Sequence, residues 1–321
     1  MKKTILITGG SGLVGHGIKS ILSGQSESET EYTYKYDFIF LSSKNCNLED
    51  YTQTFNYFNS IKPYYVIHLA ANVGGLFKNM NYKVDMLEKN VLINMNVLKA
   101  SHNVGVKKLV ACLSTCIFPD KTSYPIDETI LHSGPPHFSN DAYAYAKRLL
   151  DTQCRSYREQ YGDNFVSIIP TNIYGPNDNY NLEDAHVIPA LIHKCKIAKA
   201  KSEPFIVAGT GKPLRQFIYS DDLAKLIMWV LLNYNNAEPI ILSVGEDKEV
   251  SIGYIASLIA KKYNYLENLV FDSTKSDGQY KKTASNAKLM NLIGTYEFID
   301  IEVGIEKSID WFEKNYEICR K

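Results

Sequence analysis

An α/β fold with a doubly wound parallel sheet is predicted by three features of this chain: apolar runs alternating with helical patterns, a glycine-rich turn after the first run, and a break in the rhythm near residue 176. The runs cover 4–8, 38–42, 65–70, 108–114 and 165–170 and are rich in Ile, Val and Leu. Such short runs suit parallel strands covered by crossover helices on both faces. Segments 81–104 and 141–161 contain no proline and repeat apolar residues at helical spacing. After Gly175-Pro176 the chain turns polar over 177–184, and 209–213 is rich in turn formers, as where one domain is left to build another. Residues 221–232 and 240–244 then read as a helix and a strand returning to the sheet. The expected division is a dinucleotide-binding (Rossmann) domain over 1–176 and 216–245, with a smaller α/β substrate-binding domain over 177–215 and 246–321.

With 321 residues, 45% of them hydrophobic, the chain can fill one large core or two packed domains. The 35 basic and 35 acidic residues cancel and form no basic block, which argues against nucleic acid or an anionic membrane as partner. The apolar start Ile5-Leu6-Ile7 is too short for a signal segment, and no stretch reaches the roughly 18 apolar residues of a membrane span, so a cytoplasmic location is expected. Cysteines 46, 112, 116, 154, 195 and 319 are too scattered for a disulfide framework, and Cys112 and Cys116 lack the histidines of a zinc site. Free thiols and no metal are expected.

Thr8-Gly9-Gly10-Ser11-Gly12-Leu13-Val14-Gly15 follows the first strand and opens a helix. Glycines there let backbone N–H groups approach a pyrophosphate at the positive helix end, so Gly9, Gly10, Ser11, Gly12, Leu13, Val14 and Gly15 are cofactor candidates. An NAD site usually closes its second strand with an acid for the ribose hydroxyls; here the strand closes with Ser42, Ser43 and Lys44, which suit the extra phosphate of NADP. A solvated loop charge is the plain alternative for Lys44. Asn47 and Leu48 then flank the adenine, and His68, Leu69, Ala70 and Ala71 pass near the cofactor ribose.

Ser114 and Cys116 close the 108–114 run. Alternation of strand side chains would point both to one face. Tyr143 and Lys147, four apart on a helix, share a face as well. A serine, a tyrosine and a lysine can polarise a ketone for hydride transfer, and a neighbouring ammonium together with the cationic nicotinamide is expected to lower the tyrosine from its reference pKa of about 10. Tyr145 has no lysine four residues on. A thiol beside the same carbonyl could move a proton on the adjacent carbon; the plain alternative for Cys116 is a small buried hydrophobe.

These motifs together resemble the extended short-chain dehydrogenase/reductase family. The likeness spans nearly the whole chain: TGGSGLVG, HLAANVGGLF at 68–77, LSTCIFPD at 113–120, YPIDE at 124–128, YAYAK, PTNIYGPND at 170–178, HVIPALIHK at 186–194, RQFIYSDDLA at 215–224 and KSDGQYKKTASNAKL at 275–289. LSTCIFPD is much more specific than the glycine loop, since dehydratases of the same fold carry Thr-Asp-Glu at Ser114-Thr115-Cys116. The resemblance implies an NADP-dependent 3,5-epimerase and 4-reductase of GDP-4-keto-6-deoxy-D-mannose. It implies Cys116 as base and His186 as acid in the epimerisations, with Ser114, Tyr143 and Lys147 serving the reduction. His186, Lys147, Pro170, Thr171, Asn172 and Ile173 would border the cofactor. Asn172, Lys194, Ala208, Arg215 and Asp277 would meet the GDP-sugar, Arg215 and Lys194 at the diphosphate and Asp277 at the ribose or guanine. Ala208 departs from the tryptophan common in that turn, and Lys-Ser-Asp-Gly also reads as a plain turn. The family usually forms a homodimer through two long helices per subunit, which 81–104 and 141–161 could supply. Another sugar-nucleotide epimerase or reductase, or a regulatory protein that keeps the nucleotide pocket, are the rivals.

Overall fold

A computed structural model describes residues 2–23, 32–277 and 279–321. Strand β1 (Lys3–Thr8) leads through the glycine turn into helix α1 (Leu13–Leu22), and β2 (Tyr36–Leu41) follows. Helix α2 (Tyr51–Ile61) starts where the Asp50 side chain accepts the Gln53 N–H at 3.0 Å, satisfying an end donor that the helix itself cannot. Then come β3 (Tyr65–His68), α3 (Leu76–Asn81), α4 (Lys83–Asn103), β4 (Lys108–Cys112), α5 (Asp141–Tyr161) and β5 (Phe165–Pro170). α5 stops at Gly162, whose φ of 76° is the left-handed cap that glycine adopts most cheaply.

The chain continues through β6 (Asn172–Tyr174), α6 (Val187–Lys201), β7 (Phe205–Ala208), β8 (Leu214–Arg215) and β9 (Phe217–Tyr219). Helix α7 (Ser220–Asn233) and strand β10 (Ile240–Leu242) return it to the main sheet. β11 (Val250–Ser251), α8 (Ile252–Lys262), β12 (Leu269–Asp272), α9 (Ala287–Ile293) and α10 (Ile301–Lys314) complete it.

The main sheet has six parallel strands in the order β10-β5-β4-β3-β1-β2. Strand order reverses between β1 and β3, the point in such sheets where a ligand crevice opens at the strand carboxyl ends. Alternate side chains feed two cores. Leu6, Val66, Leu109, Ala111, Phe165 and Ile241 face one, with residues of α2, α4 and α5. Ile5, Ile7, Ile67, Val110, Val166 and Ile240 face the other, with α1 and α7. This double burial is why the strands read as continuous apolar runs rather than alternating ones.

A third core joins Tyr174, Tyr180, Phe205, Phe217, Ile255, Ile309 and Phe312 under α6, α8 and α10. Its strands pair as β7 with β12 and β8 with β11, while β6 lies parallel to β9, so the points where the chain leaves and rejoins the main body adjoin. Among the described residues no helix is long and apolar enough to cross a membrane.

Element ends differ from expectation at several strand exits. β3 stops at His68 rather than residue 70, β4 at Cys112 rather than 114, and β10 at Leu242 rather than 244. The 81–104 helix divides at Tyr82, whose φ of −120° and ψ of 45° separate α3 from α4. Leu113 and Val244, just past β4 and β10, are buried, whereas Leu69 and Ala70 past β3 are half-buried.

Candidate active site

At the carboxyl end of β1, Gly9 has a φ of 69° and its backbone lies so close to β3 that an added Cβ would sit 2.8 Å from Ala70 N. Gly15 backs onto the same turn, where a Cβ would come within 2.5 Å of Gly10 O. Gly12 begins α1 with no side chain capping its first turn, leaving those N–H groups for an anion. Ser43 and Lys44 are exposed beside this turn, while Ser42 Oγ donates to Asn45 Oδ1 at 2.7 Å. An open helix start plus an exposed ammonium and hydroxyl fit a dinucleotide with an additional phosphate. Asn47 is exposed and Leu48 buried beneath it; Leu69, Ala70 and Ala71 are half-buried where β3 ends.

His68 is a correction. It is 1% exposed and held between Thr8 Oγ1 at 2.8 Å and Asn94 Oδ1 at 3.0 Å, so it braces β1 against α4 and cannot reach a ribose. Burial, with the Lys147 charge behind it, pushes its pKa down to about 3, which keeps the ring neutral.

Ser114 and Cys116 do meet, but not by strand alternation. β4 has already ended, and Ser114 starts a single 3-10 turn, Thr115–Ile117, its Oγ accepting the Cys116 N–H at 3.4 Å. The turn rotates Cys116 into the core on the α5 side, where continued alternation would have sent it to the opposite core. Helix α5 grips the turn: Arg148 Nε donates to Ile117 O at 2.6 Å.

Lys147, 2% exposed, donates through Nζ to Cys112 O at 2.7 Å and stands 5.7 Å from the Tyr143 ring centre. Tyr145, by contrast, is 48% exposed on the outer face of α5. Without the nicotinamide charge, burial dominates at Tyr143. Burial, then the nearby Cys116 and Cys112 thiols, hold its hydroxyl well above the ordinary phenol range, and the ammonium does not offset this. The phenol is therefore firmly protonated, as a proton donor to an alkoxide must be.

Cys116 is 6% exposed, and burial pushes its thiol up. Lys282, then the Ser114 hydroxyl and Lys147, pull it the other way. Tyr143 and Lys147 both feel the thiol, and Tyr143 packs against the core cluster that holds Cys116. Lys282 was not found by sequence reasoning. Its only local mark is membership of Lys281-Lys282 in a polar stretch, and its influence on Cys116 comes from tertiary structure alone.

Past β5, Pro170 and Thr171 are buried and Ile173 half-buried; Asn172 Nδ2 donates to Gln216 O at 2.8 Å. His186 caps the start of α6 and is exposed, and no hydrogen bond or ion pair among the described residues joins it to Cys116 or Tyr143. Its charged neighbour is Asp178, 4% exposed, with Oδ2 unpartnered, whose carboxyl burial raises to about 6 against the pull of His186.

Arg215 donates to Leu214 O at 2.7 Å and Gln279 O at 2.6 Å, and burial pulls its pKa down. Asp277 clamps the turn after β7, accepting from Thr210 N at 2.6 Å and Thr210 Oγ1 at 2.7 Å; Gly278 lies outside the described residues. Ala208 is exposed at the end of β7, and Lys194 is half-buried on α6.

Comparison with known proteins agrees with this geometry. The chain is 53% identical to the GDP-L-fucose synthase of Dictyostelium discoideum, over 100% of this chain and 98% of that protein. It is 32% identical to the GDP-L-fucose synthase of Escherichia coli (strain K12), over 99% of each. A GDP-L-fucose synthetase from Naegleria fowleri, crystallised with NADP, superposes with a TM-score of 0.93 at 48% identity, covering 99% of this chain and 95% of that one. Residues 5–245 match the sequence model of the NAD dependent epimerase/dehydratase family, and this chain belongs to that family.

Proposed function

We propose that this enzyme converts GDP-4-keto-6-deoxy-D-mannose to GDP-L-fucose by inverting carbons 3 and 5 and then reducing carbon 4 with NADPH. The observation that carries this is the Cys116 thiol beside Tyr143, Lys147 and Ser114: the last three suffice for reduction, and the sulfur adds a group for moving carbon-bound protons.

The glycine turn, with Ser11, Leu13 and Val14, receives the pyrophosphate, and Ser42, Ser43 and Lys44 the additional phosphate of the cofactor. Asn47, Leu48, Leu69, Ala70, Ala71 and residues 170–173 line the rest of its path. When bound, NADPH supplies hydride to carbon 4. Ser114 and Tyr143 hydrogen-bond the ketone oxygen, which acidifies the hydrogens on carbons 3 and 5. Cys116 as thiolate takes one such proton, forming S–H, and the C–H electron pair moves onto the ketone oxygen. His186 returns a proton to that carbon from the opposite face, and the configuration inverts. After both inversions Tyr143 gives its phenolic proton to the oxygen on carbon 4, with Lys147 holding the pair in register.

Residues 1–176 and 216–245 serve the cofactor, and 177–215 with 246–321 the GDP-sugar, through Asn172, Lys194, Ala208, Arg215 and Asp277. A homodimer is supported by apolar side chains left exposed on α4 and α5, among them Val84, Leu87, Leu92, Met95 and Leu149. Six unpaired cysteines suit a reducing, cytoplasmic setting.

Incubation with GDP-4-keto-6-deoxy-D-mannose and NADPH, with the product identified by NMR, tests the assignment. GDP-L-fucose supports it. A product reduced at carbon 4 with carbons 3 and 5 unchanged refutes it.

A further inference from the structure

Gln216 stands between β8 and β9, in the RQFIYSDDLA stretch, and is 1% exposed. Its side-chain amide is fully engaged with main chain. Oε1 accepts the Ala284 N–H at 2.7 Å, while Nε2 donates to Ala284 O at 3.0 Å and Val244 O at 2.9 Å, with Gly245 O also in reach at 3.2 Å. These partners fix the amide's orientation, because a flip would aim its oxygen at carbonyls and its N–H groups at an N–H. A carboxylate here would lack the donors, and an ammonium would lack the acceptor.

The bonds gather segments from distant parts of the chain. Residues 244–245 follow β10, at the edge of the main sheet. Past β5, Asn172 donates to the Gln216 carbonyl through its backbone N at 3.3 Å and through Nδ2 at 2.8 Å. Ala284 ends a strap that begins two residues after Asp277 and runs along 214–216: Arg215 donates to Gln279 O at 2.6 Å, and Leu214 N to Tyr280 O at 2.9 Å. The far side of the strap meets the loop beyond the Cys116 turn. There Tyr124 Oη donates to Lys281 O at 2.7 Å, Ile126 N to Thr283 O at 2.8 Å, and Ser285 N to Ile126 O at 2.7 Å.

We propose that Gln216 is a positioning residue for hydride transfer, its buried amide pinning the sugar-serving strap to the cofactor-serving segments so that carbon 4 is held at the nicotinamide. This rests on the reaction proposed above. The groups that would capture each ligand are held by other bonds, Gly9 against Ala70 at the pyrophosphate turn and Arg215 by Leu214 O and Gln279 O. Gln216 therefore governs how the two ligands stand relative to each other, not how tightly either binds.

The test compares the intact protein with Gln216→Met, Gln216→Glu and Gln216→Asn. In a single turnover with GDP-4-keto-6-deoxy-D-mannose, NADPH oxidation should slow by about ten- to hundredfold in the Met and Glu variants, the cost of a misplaced reacting pair. The isotope effect from deuterium at the transferred position of NADPH should rise with it, while Kd for NADP and for GDP each change by less than about twofold. Gln216→Asn, which keeps the amide but is one methylene shorter, should fall between, and it carries the test if the other variants fail to fold. Amide hydrogen exchange at Ala284 and Asn172 should be faster in every variant than in the intact protein. An unchanged oxidation rate and isotope effect overturn the proposal. So does a slower rate matched by equal losses of NADP and GDP affinity, which would make Gln216 a support of the fold alone. If the intact protein forms no GDP-L-fucose, the proposed reaction falls instead, and unchanged exchange at Ala284 and Asn172 would then overturn the pinning itself.

Discussion

The two ends of the cleft are built differently. At the cofactor end, polar groups are locked by strand ends and helices: Lys147 on Cys112 O, His68 between Thr8 and Asn94, and Gly9 against Ala70. At the other end they sit on short strands, a helix start and a loop. Arg215 is spent on the carbonyls of Leu214 and Gln279, Asp277 on Thr210, and Ala208 and His186 stand exposed. On the proposed assignment the first end is pre-organised for chemistry, where small displacements cost rate; the second would exchange internal bonds for ligand bonds, so changes there should cost affinity.

The largest effect that would sharpen this contrast is Cys116→Ser. Deuterium uptake at carbons 3 and 5 should fall by about a hundredfold or more, while reduction of the unepimerised ketone continues. Mass spectrometry of the sugar in D2O reads it. Next is Arg215→Lys, which loses the forked donor geometry: KM for the GDP-sugar should rise about tenfold with kcat nearly constant. A fall in kcat alone would place Arg215 with the chemistry and break the contrast.

Ala208→Trp returns a stacking surface to the exposed end of β7 and should tighten GDP binding by about 1 kcal/mol, a few-fold in Kd by calorimetry. Unchanged affinity would mean that the base does not lie over this turn.

A comparable free-energy effect, read on stability rather than function, concerns Asp178. Its folded carboxyl, raised to about 6 from 3.8, binds its proton more tightly than the unfolded chain does. The contribution of this carboxyl to stability is therefore fully present below pH 4 and is lost as pH rises from about 4 to about 6. Asp178→Asn should remove this loss and be more stable at pH 7 by on the order of 2 kcal/mol, with a flatter profile in denaturant titrations.

What sequence could reveal follows the same division. The strand and helix rhythm, the glycine turn, and the pairing of Tyr143 with Lys147 depend on local spacing and are visible in it. The meeting of Ser114 with Cys116 was reached through the wrong geometry, because β4 ends at Cys112 and a turn follows, one that the distant Arg148 holds through Ile117 O. The surroundings of Tyr143 were legible only in part for a related reason. Spacing shows the lysine nearby, but burial, the larger influence, comes from the assembled core. Lys282 was out of reach altogether, since its anchors Tyr124, Ile126 and Gln216 lie far off in the chain.

The central claim is that one ketone pocket serves two separable reactions, and Tyr143→Phe in D2O tests it most directly. The account predicts that NADPH oxidation is abolished while deuterium still enters carbons 3 and 5. Normal NADPH turnover in that variant, or loss of deuterium entry together with oxidation, would contradict it.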